Sequence, residues 1–337
     1  MTQPHDDTQD LIERFLSETG EVTGESAGTD WHAAPLPPGH QSGFVAVLGR
    51  PNVGKSTLIN ALIGQKVSIV SPKPQTTRTR IMGVLTQPEY QIIFVDTPGI
   101  HRRTEHRLGE QLNENALAAI PDADLILFVV DVSRPPQADD VRVAEILREK
   151  ATQRPVFFVL NKMDQLPLEK AEAHITAYWA LYPNYADSMP VSALKGTNLE
   201  KLLEHMLRFL PEGPRYFPAD QITDQTERQI AAELIREAAW RYTREEIPHA
   251  LAVIIEEYIE QPNGVTHITA TLWVERDSQK PILIGKGGEM LKRIGTAARK
   301  ELERFIGGQV YLELWVKVRP KWRNNEHDLK EAGVITR

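Results

Sequence analysis

The alternation of apolar and polar positions changes rhythm twice along the chain. Up to about residue 40 there is no period of either kind. This stretch is rich in Asp, Glu, Thr, Gly and Pro and runs into Pro35-Leu36-Pro37-Pro38-Gly39. It reads as a disordered extension, with at most a turn or two of helix over Asp10–Leu16. Short apolar runs then alternate with helical periodicity. Phe44–Leu48, Ile81–Thr86, Gln91–Val95, Leu125–Val130, Val156–Leu160 and Met189–Val191 read as strands. Thr57–Ile63, Asp139–Lys150, Leu166–Trp179 and Leu199–Leu210 read as helices, the second with Val141, Ala144, Ile146 and Leu147 facing inward. The second and third strands flank the Pro88-Glu89-Tyr90 turn and are expected to be antiparallel. Continuous apolar strands between helices predict an α/β domain, a mostly parallel sheet with helices on both faces.

Pro211, Gly213, Pro214 and Pro218 end that rhythm. Beyond them the order is helix (Gln225–Glu246), strand (Ala250–Glu260), a Pro262-Asn263-Gly264 turn and strand (Val265–Glu275). A short helical turn (Pro281–Ile284), a helix (Glu289–Phe305) and a closing strand (Gln309–Val318) follow. The expected division is an acidic extension over 1–41, the α/β domain over 42–211 and a linker over 212–224. An α+β domain over 225–325 and a tail over 326–337 complete it.

At 337 residues the chain is long enough for two cores. It has no cysteine, which removes disulfides and thiolate metal sites, and no apolar run long enough to span a bilayer. With no secretory signal at the N-terminus, a cytoplasmic protein is expected. The net charge of −7 is unevenly spread. Before residue 40, eight acidic residues face Arg14 alone. From Arg276 onward, 14 Lys/Arg face 8 Asp/Glu, a balance that suits a polyanionic partner.

Gly49-Arg50-Pro51-Asn52-Val53-Gly54-Lys55-Ser56 follows the first strand, and Thr57 opens the helix after it. This is the full phosphate-loop pattern in its required context: glycines turn backbone N–H groups inward and the helix N-terminus adds partial positive charge. Lys55 is expected on the β- and γ-phosphates and the Ser56 hydroxyl on Mg²⁺. Asp96-Thr97-Pro98-Gly99 ends the third strand. Asp96 can hold the Mg²⁺ shell and the Gly99 N–H can sense the γ-phosphate. In the polar loop Ser71–Arg80, Thr77 is favoured as the remaining Mg²⁺ ligand, because the run Thr77-Arg78-Thr79-Arg80-Ile81 leads straight into the next strand; Thr76 is the alternative.

Asn161-Lys162-Met163-Asp164 follows the fifth strand. One carboxylate can accept from guanine N1–H and N2–H₂, a pair that adenine lacks, and Asp164 fits that role. Asn161 would tie the base-binding loops together and Lys162 would cover the ring. Ser192-Ala193-Leu194 offers backbone N–H to guanine O6. In this order the motifs select GTP and GDP over ATP. After Gly99, where many such switches carry a water-orienting glutamine, stands Ile100, so slow intrinsic hydrolysis is expected. Lys55, Thr77, Asp96 and Gly99 are the expected catalytic set. His101, Arg102 and Arg103 read as a solvated loop.

In the second domain Ile284-Gly285-Lys286-Gly287-Gly288 precedes a helix carrying Lys292 and Arg293. Glycines admit a single-stranded backbone closely, and Lys286 projects charge at its phosphates. Ile282, Ile284 and Leu291 are expected to line a groove for bases. Lys317, Arg319, Lys321 and Arg323, interleaved with Trp315 and Trp322, would extend the basic surface; Trp315 reads more readily as core. The element order is that of a type II KH module.

With these motifs the sequence, from about residue 42 to 325, resembles the Era family of bacterial P-loop GTPases. The marks are Gly49–Ser56, Pro74-Gln75-Thr76-Thr77-Arg78, Asp96–Gly99, Asn161–Asp164, Ser192–Leu194 and Ile284–Gly288. The resemblance implies a P-loop GTPase domain followed by a type II KH domain, and binding to 16S ribosomal RNA near its 3′ end. It further implies a role in 30S subunit assembly, loose association with the cytoplasmic face of the cell membrane, and a monomer. Asn52 resembles the asparagine by which some relatives hold K⁺; a turn-forming asparagine is the other reading. GTPases of transfer-RNA modification or metal transport carry a further domain that has no counterpart here. A scaffold using GTP only structurally would not need Lys55, Ser56 and Asp96.

Overall fold

Seven consecutive buried residues, Leu125–Asp131, make β4, and a strand buried on both sides needs a layer of helices on each. The computed structural model, which describes residues 36–70, 76–101 and 106–335, has that arrangement. Its first sheet runs β2-β3-β1-β4-β5-β6. The strands are β1 (Gln41–Leu48), β2 (Ile81–Thr86), β3 (Tyr90–Asp96), β4, β5 (Val156–Asn161) and β6 (Asp187–Pro190). All neighbours are parallel except β2 and β3. Helices α1 (Lys55–Ile63) and α5 (Leu199–Leu207) cover one face with Leu58, Ile59, Leu202 and Met206. Helices α2 (Arg107–Leu117), α3 (Ala138–Lys150) and α4 (Ala171–Leu181) cover the other with Ala116, Val143, Leu147 and Tyr178.

Several expectations need correction. Val141 is exposed; the inward stripe of α3 is Val143, Ala144, Ile146 and Leu147, held in phase by a capping box between Gln137 and Asp140. The helix expected from Leu166 starts only at Ala171, because Pro167 sits in the extended region and confines Met163–Gln165 and Leu168–Lys170 to single 3₁₀ turns. Helix α2 was not anticipated from the sequence. Its buried positions are few, Leu108, Gly109, Leu112 and Ala116, and polar residues dilute the period. The extension expected over 1–41 lies outside the described residues except for 36–41, where Gln41 already belongs to β1.

The expected linker 212–224 is a strap laid against the first domain. Gln41 bridges Glu212, Gly83 bridges Thr223, and the Val84 N–H donates to Ile222 O. The Gln91 side chain accepts from Tyr216 N and Phe217 N, and Met82 N donates to Asp224 Oδ1 at 2.8 Å.

The second domain stacks α6 (Glu227–Tyr242) and α9 (Glu289–Ile306) on one face of the sheet β7-β8-β9. Its strands are β7 (Ala252–Glu260), β8 (Val265–Val274), antiparallel to β7, and β9 (Gln309–Val318), parallel to β8. The short helices α7 (Ile247–Ala250) and α8 (Lys280–Ile284) complete it. The expected tail is also structured as far as Ile335. Asn325 caps α10 (Glu326–Glu331), and Leu329 and Val334 are buried.

A fourth apolar cluster joins the domains: Leu108 and Leu112 of α2 pack with Ala252, Ile254, Trp273, Trp322, Leu329 and Val334. Arg78 enters from the first domain and is buried. Its Nη1 donates to Leu251 O at 2.7 Å and its guanidinium lies 5.9 and 5.5 Å from the Trp240 and Trp322 rings. Arg236 Nη2 donates to Thr76 O, and the Asn115 amide donates to both Arg78 O and Val334 O.

Candidate functional site

Apart from the segment carrying Thr77, which runs from α1 into β2, the loops of the first site leave the C-terminal ends of parallel strands, where open α/β sheets gather their ligands. After β1 the chain turns at Gly49 and again at Gly54, whose φ of +101° is a left-handed conformation. A Cβ on Gly54 would stand 2.4 Å from Asn161 Nδ2, so the loop closes only around hydrogen there. Lys55 folds back into the loop, its Nζ donating to Gly49 O at 3.1 Å and Arg50 O at 3.2 Å. Burial, with a contribution from Arg50, lowers the Lys55 ammonium to about 8 against the opposing pull of Asp96. A phosphate in the loop would supply the missing counter-charge.

Three oxygen groups meet beside it. Ser56 Oγ donates to Asp96 Oδ2 at 2.7 Å and lies 3.0 Å from Thr77 Oγ1; Thr77 Oγ1 is 3.2 Å from the same carboxylate oxygen. Burial raises the Asp96 carboxyl above its ordinary value, opposed by the Ser56 hydrogen bond, Lys55 and the Ser68 and Thr77 hydroxyls. Ser68 stands near enough to help hold that charge, yet neither its oxygen nor Asp96 Oδ1 closes a hydrogen bond with a described residue. Two hydroxyls, a carboxylate and an orphaned carboxylate oxygen form an all-oxygen set that fits a hard divalent cation such as Mg²⁺. The alternative Thr76 offers its carbonyl to Arg236. Thr97 Oγ1 donates to Val47 O, fixing the turn in which Pro98 and Gly99 follow; a Cβ on Gly99 would lie 2.6 Å from Pro51. Ile100 is buried in the core, its N–H donating to Gly49 O at 3.3 Å, so it orients no water.

The base-reading loops are tied to the phosphate loop. Asn161 Nδ2 donates to Val53 O at 2.8 Å and its Oδ1 accepts from Ala193 N at 3.0 Å. A guanine O6 would compete with Asn161 for that N–H. Lys162 Nζ reaches Asn52 O at 2.7 Å and Asp131 Oδ2 at 2.8 Å. Asp164 is exposed beyond Met163, with one oxygen accepting from Ser192 Oγ at 2.6 Å; Leu194 lies open beside it. A second layer was not visible in the sequence. Arg50 Nε donates to Asp140 Oδ2 at 2.9 Å and its Nη2 lies 3.7 Å from Asp131 Oδ2. Burial pushes the Asp131 carboxyl up, but hydrogen bonds from Lys162 and Ser133 outweigh it and leave the group below its usual range. Arg50 and Asp140, and Asp131 and Lys162, are 90 and 31 residues apart, and only the assembled sheet brings them together.

In the second domain Gly285, Gly287 and Gly288 all have positive φ. A Cβ on Gly285 would press to 2.7 Å from Met290, whereas one on Gly287 or Gly288 would meet nothing within 4 Å. The loop is therefore tight on its inner side and open on its outer side, with Lys286 exposed. Ile282 is exposed beside it, and Ile284 and Leu291 are half-buried. Lys292 is exposed, and Arg293 turns toward α6, its guanidinium 4.9 Å from the Tyr242 ring. The remaining basic expectations shift. Arg319 is paired with Asp328 at 2.7 Å and Arg323 with Glu275, Trp322 is core, and Trp315 is exposed. Of the residues after Gly99, His101 is largely buried and exchanges backbone hydrogen bonds with the Asn113 side chain; Arg102 and Arg103 lie outside the described residues.

Comparison with known proteins agrees with this layout. Residues 44–162 match the family described as 50S ribosome-binding GTPase, and residues 246–323 match the KH domain family. GTPase Era of Heliobacterium modesticaldum is 50% identical over 293 residues, which is 87% of this chain and 97% of that protein. The chain belongs to the Era family of GTPases. GTPase Era of Clostridium botulinum is 47% identical over the same share of the chain and 98% of its own length. A crystal structure of Era in complex with MgGDPNP and nucleotides 1506–1542 of 16S ribosomal RNA matches with a TM-score of 0.83 at 43% identity, covering 88% of this chain and 99% of that one. An Aquifex aeolicus Era variant bound to GDP·AlF₄⁻ matches at 0.82 and 43%, covering 87% and 99%. Like those relatives, this Era-family chain is a GTPase of the P-loop class with a C-terminal KH domain.

Proposed function

We propose that this chain is a GTP-hydrolysing switch that binds small-subunit ribosomal RNA near its 3′ end and acts in assembly of the 30S subunit. The observation that carries the reading is the adjacency of Thr77 and Arg78. One side chain joins the Ser56–Asp96 oxygen cluster, and the next is buried in the KH domain. Nucleotide state and RNA module are thereby linked through one peptide unit. The relative solved with MgGDPNP and 16S ribosomal RNA supports the choice of ligands.

In this reading Gly49–Thr57 cradles the phosphates, with Lys55 as the charge that spans them. Ser56, Thr77 and Asp96 hold Mg²⁺, which neutralises charge developing on the transferred phosphoryl group. Gly99 N–H reports the γ-phosphate. Asp164 reads guanine, Asn161 and Lys162 brace the loop, and Ser192–Leu194 closes over the base. With Ile100 in the core, attacking water has no side-chain base at that position, so turnover in the isolated protein is slow. Ile284–Gly288 clamps a single-stranded RNA backbone, with Lys292 and Arg293 behind it.

The test is a filter-binding titration of small-subunit 3′-end RNA at two salt concentrations. Gly287→Asp puts a carboxylate into the open side of the loop without a steric clash, and Asp tolerates the left-handed conformation. RNA affinity should fall while GTP hydrolysis stays unchanged. Wild-type binding should weaken with salt with a logarithmic slope of about −0.7 per phosphate contact. Equal affinity of the two proteins would remove the RNA site from this loop.

Potassium beside the phosphates rests on Asn52, whose backbone oxygen already accepts from Lys162; hydrolysis compared in potassium and sodium buffers decides it. A cytoplasmic location, peripheral association with the cell membrane and a monomeric state rest on the family resemblance. No described helix is long and apolar enough to cross a membrane. Vesicle co-sedimentation and analytical ultracentrifugation test the last two.

A further inference from the structure

The KH sheet has two faces, and only one is accounted for by the RNA reading. Helices α6 and α9 cover the face carrying Ile268, Ala270, Leu272, Val310 and Val316. On the opposite face the end nearest the first domain is covered as well, where Ala252, Ile254 and Trp273 lie under α2, Trp322 and Leu329. Among the described residues nothing covers the far end. The register sets Ile259, His267 and Tyr311 in one row, Glu257, Thr269 and Glu313 in the next, and Trp315 beside Thr271 beyond it. Tyr311 is 57% exposed, Trp315 59% and Ile259 47%; they are three of the nine large apolar side chains exposed among the described residues. His267 lies against Tyr311, ring centroids 4.9 Å apart. Such a concentration on one flat face marks an interaction surface rather than scattered exposure.

We propose that this bare end of the KH sheet, centred on Tyr311, Glu313 and Trp315, docks an arginine- or lysine-rich polypeptide segment of a partner protein. The three side chains alternate outward along one strand, about 7 Å apart. A cationic side chain laid between the rings meets an aromatic face within the ~6 Å reach of a cation–π contact and a carboxylate at the same time. Glu313 has no hydrogen-bond or ion-pair partner among the described residues, and Glu257 has only a 3.5 Å contact with Thr269. Glu256 and Glu260 are exposed along the β7 edge, and Lys317 is the one lysine or arginine whose alternation brings it onto this face of β9.

Charge decides among the occupants. RNA phosphates would face Glu257 and Glu313, while Lys286, Lys292 and Arg293, the cations of the RNA reading, lie on the glycine loop and α9. A second copy of the chain would set the same carboxylates against each other, and like charges placed opposite across a sheet face destabilise it. The N-terminal extension of this chain is itself acidic. A basic polypeptide is the occupant that satisfies both the rings and the carboxylates. The inference stands apart from the RNA reading and does not depend on it.

The probe is a fluorescently labelled peptide of alternating Arg and Gly, titrated with the full chain and followed by anisotropy, with a Glu-Gly peptide of equal length as control. Trp315→Ala changes an exposed position and Glu313→Lys a half-buried one; melting temperature and GTP turnover serve as checks on the fold. Each should weaken the Arg peptide by at least about tenfold. Glu200→Lys, on exposed α5 surface, should leave it unchanged, and the Glu-Gly peptide should not bind. The affinity of Trp315→Ala for single-stranded 3′-end RNA should equal that of wild type. Undiminished peptide binding by both variants, or equal weakening by Glu200→Lys, would overturn the proposal. So would a loss of RNA affinity in Trp315→Ala, which would make the face a base-stacking platform.

Discussion

At the scale of single residues, the nucleotide site separates two jobs that a sequence motif runs together. Asn161 and Asp164 stand three positions apart, yet Asn161 is buried and holds the P-loop carbonyl of Val53, while Asp164 is exposed at the rim. Removing the first should loosen the cradle for every nucleotide; changing the second should alter only which base is read. Asp164→Asn is expected to lose roughly 1.5–3 kcal/mol of GTP affinity and to gain xanthosine triphosphate, because an amide donates where the carboxylate accepted. Asn161→Ala should weaken both nucleotides alike. Calorimetric titrations with the two triphosphates distinguish these outcomes, and an unchanged preference in Asp164→Asn would take that carboxylate out of base recognition. The motif residues were legible because their geometry is local: a glycine turn, a strand end and a helix start suffice to aim them. Arg50, Asp131 and Asp140 were not legible as a group, since nothing in the sequence says which strand lies beside which.

At the scale of elements, apolar runs located the inner strands of the first sheet because burial on both faces leaves no polar alternation to misread; β6, Asp187–Pro190, is only partly buried and overlaps the expected Met189–Val191 by two residues. Helix α2 escaped because its buried side is shared. Leu108 and Leu112 face the second domain, while Ala116 and the half-buried Leu117 pack on the first sheet, so no single core imposes a clean period. The strap was misread for a related reason. Prolines signalled a break, but the polar side chains that fasten it, Gln91 and Asp224, act across more than a hundred residues. A fragment ending at residue 211 should therefore be less stable than one ending at 225, by roughly 1 kcal/mol for each lost hydrogen bond. Differential scanning calorimetry of the two fragments measures it.

Asp224 adds a pH term to the strap. Burial lifts its carboxyl from 3.8 to about 6, against the Met82 N–H that it accepts. A folded pKa above the unfolded one means that the native state holds the proton more tightly. The contribution is full below about pH 4 and is lost as the pH rises through 6. Because the side chain keeps some exposed surface, the loss at neutral pH is put at about 1 kcal/mol. Asp224→Asn keeps the acceptor and drops the charge. It should raise the melting temperature at pH 7.5 and leave it unchanged at pH 4; equal gains at both would point to packing instead.

At the scale of the whole molecule, the two domains share Arg78. Its guanidinium is removed from water and meets carbonyl oxygens and two indole faces, and burial together with Arg236 and Arg323 lowers its pKa well below the ordinary value despite Glu233. A charge held that way is sensitive to small displacements of its seat. Arg78→Ala should bring the ratio of RNA affinities in the GTP-analogue and GDP states close to 1, while leaving GDP affinity of the protein within about threefold of wild type. Fluorescence titration with RNA in each nucleotide state reads the ratio; a ratio equal to that of wild type would show that coupling runs through α2 alone. The same seat also fixes an order of events during synthesis. Leu251, which accepts from Arg78, lies 173 residues further along the chain, and Trp322 comes later still. A ribosome making this protein releases a complete phosphate loop and base-reading loop long before the pocket for Arg78 exists. Until Arg236 and Leu251, and after them Trp322, emerge, the segment carrying Thr77 lacks its anchors on the far side, so the nascent G domain is a nucleotide binder whose signal has nowhere to go.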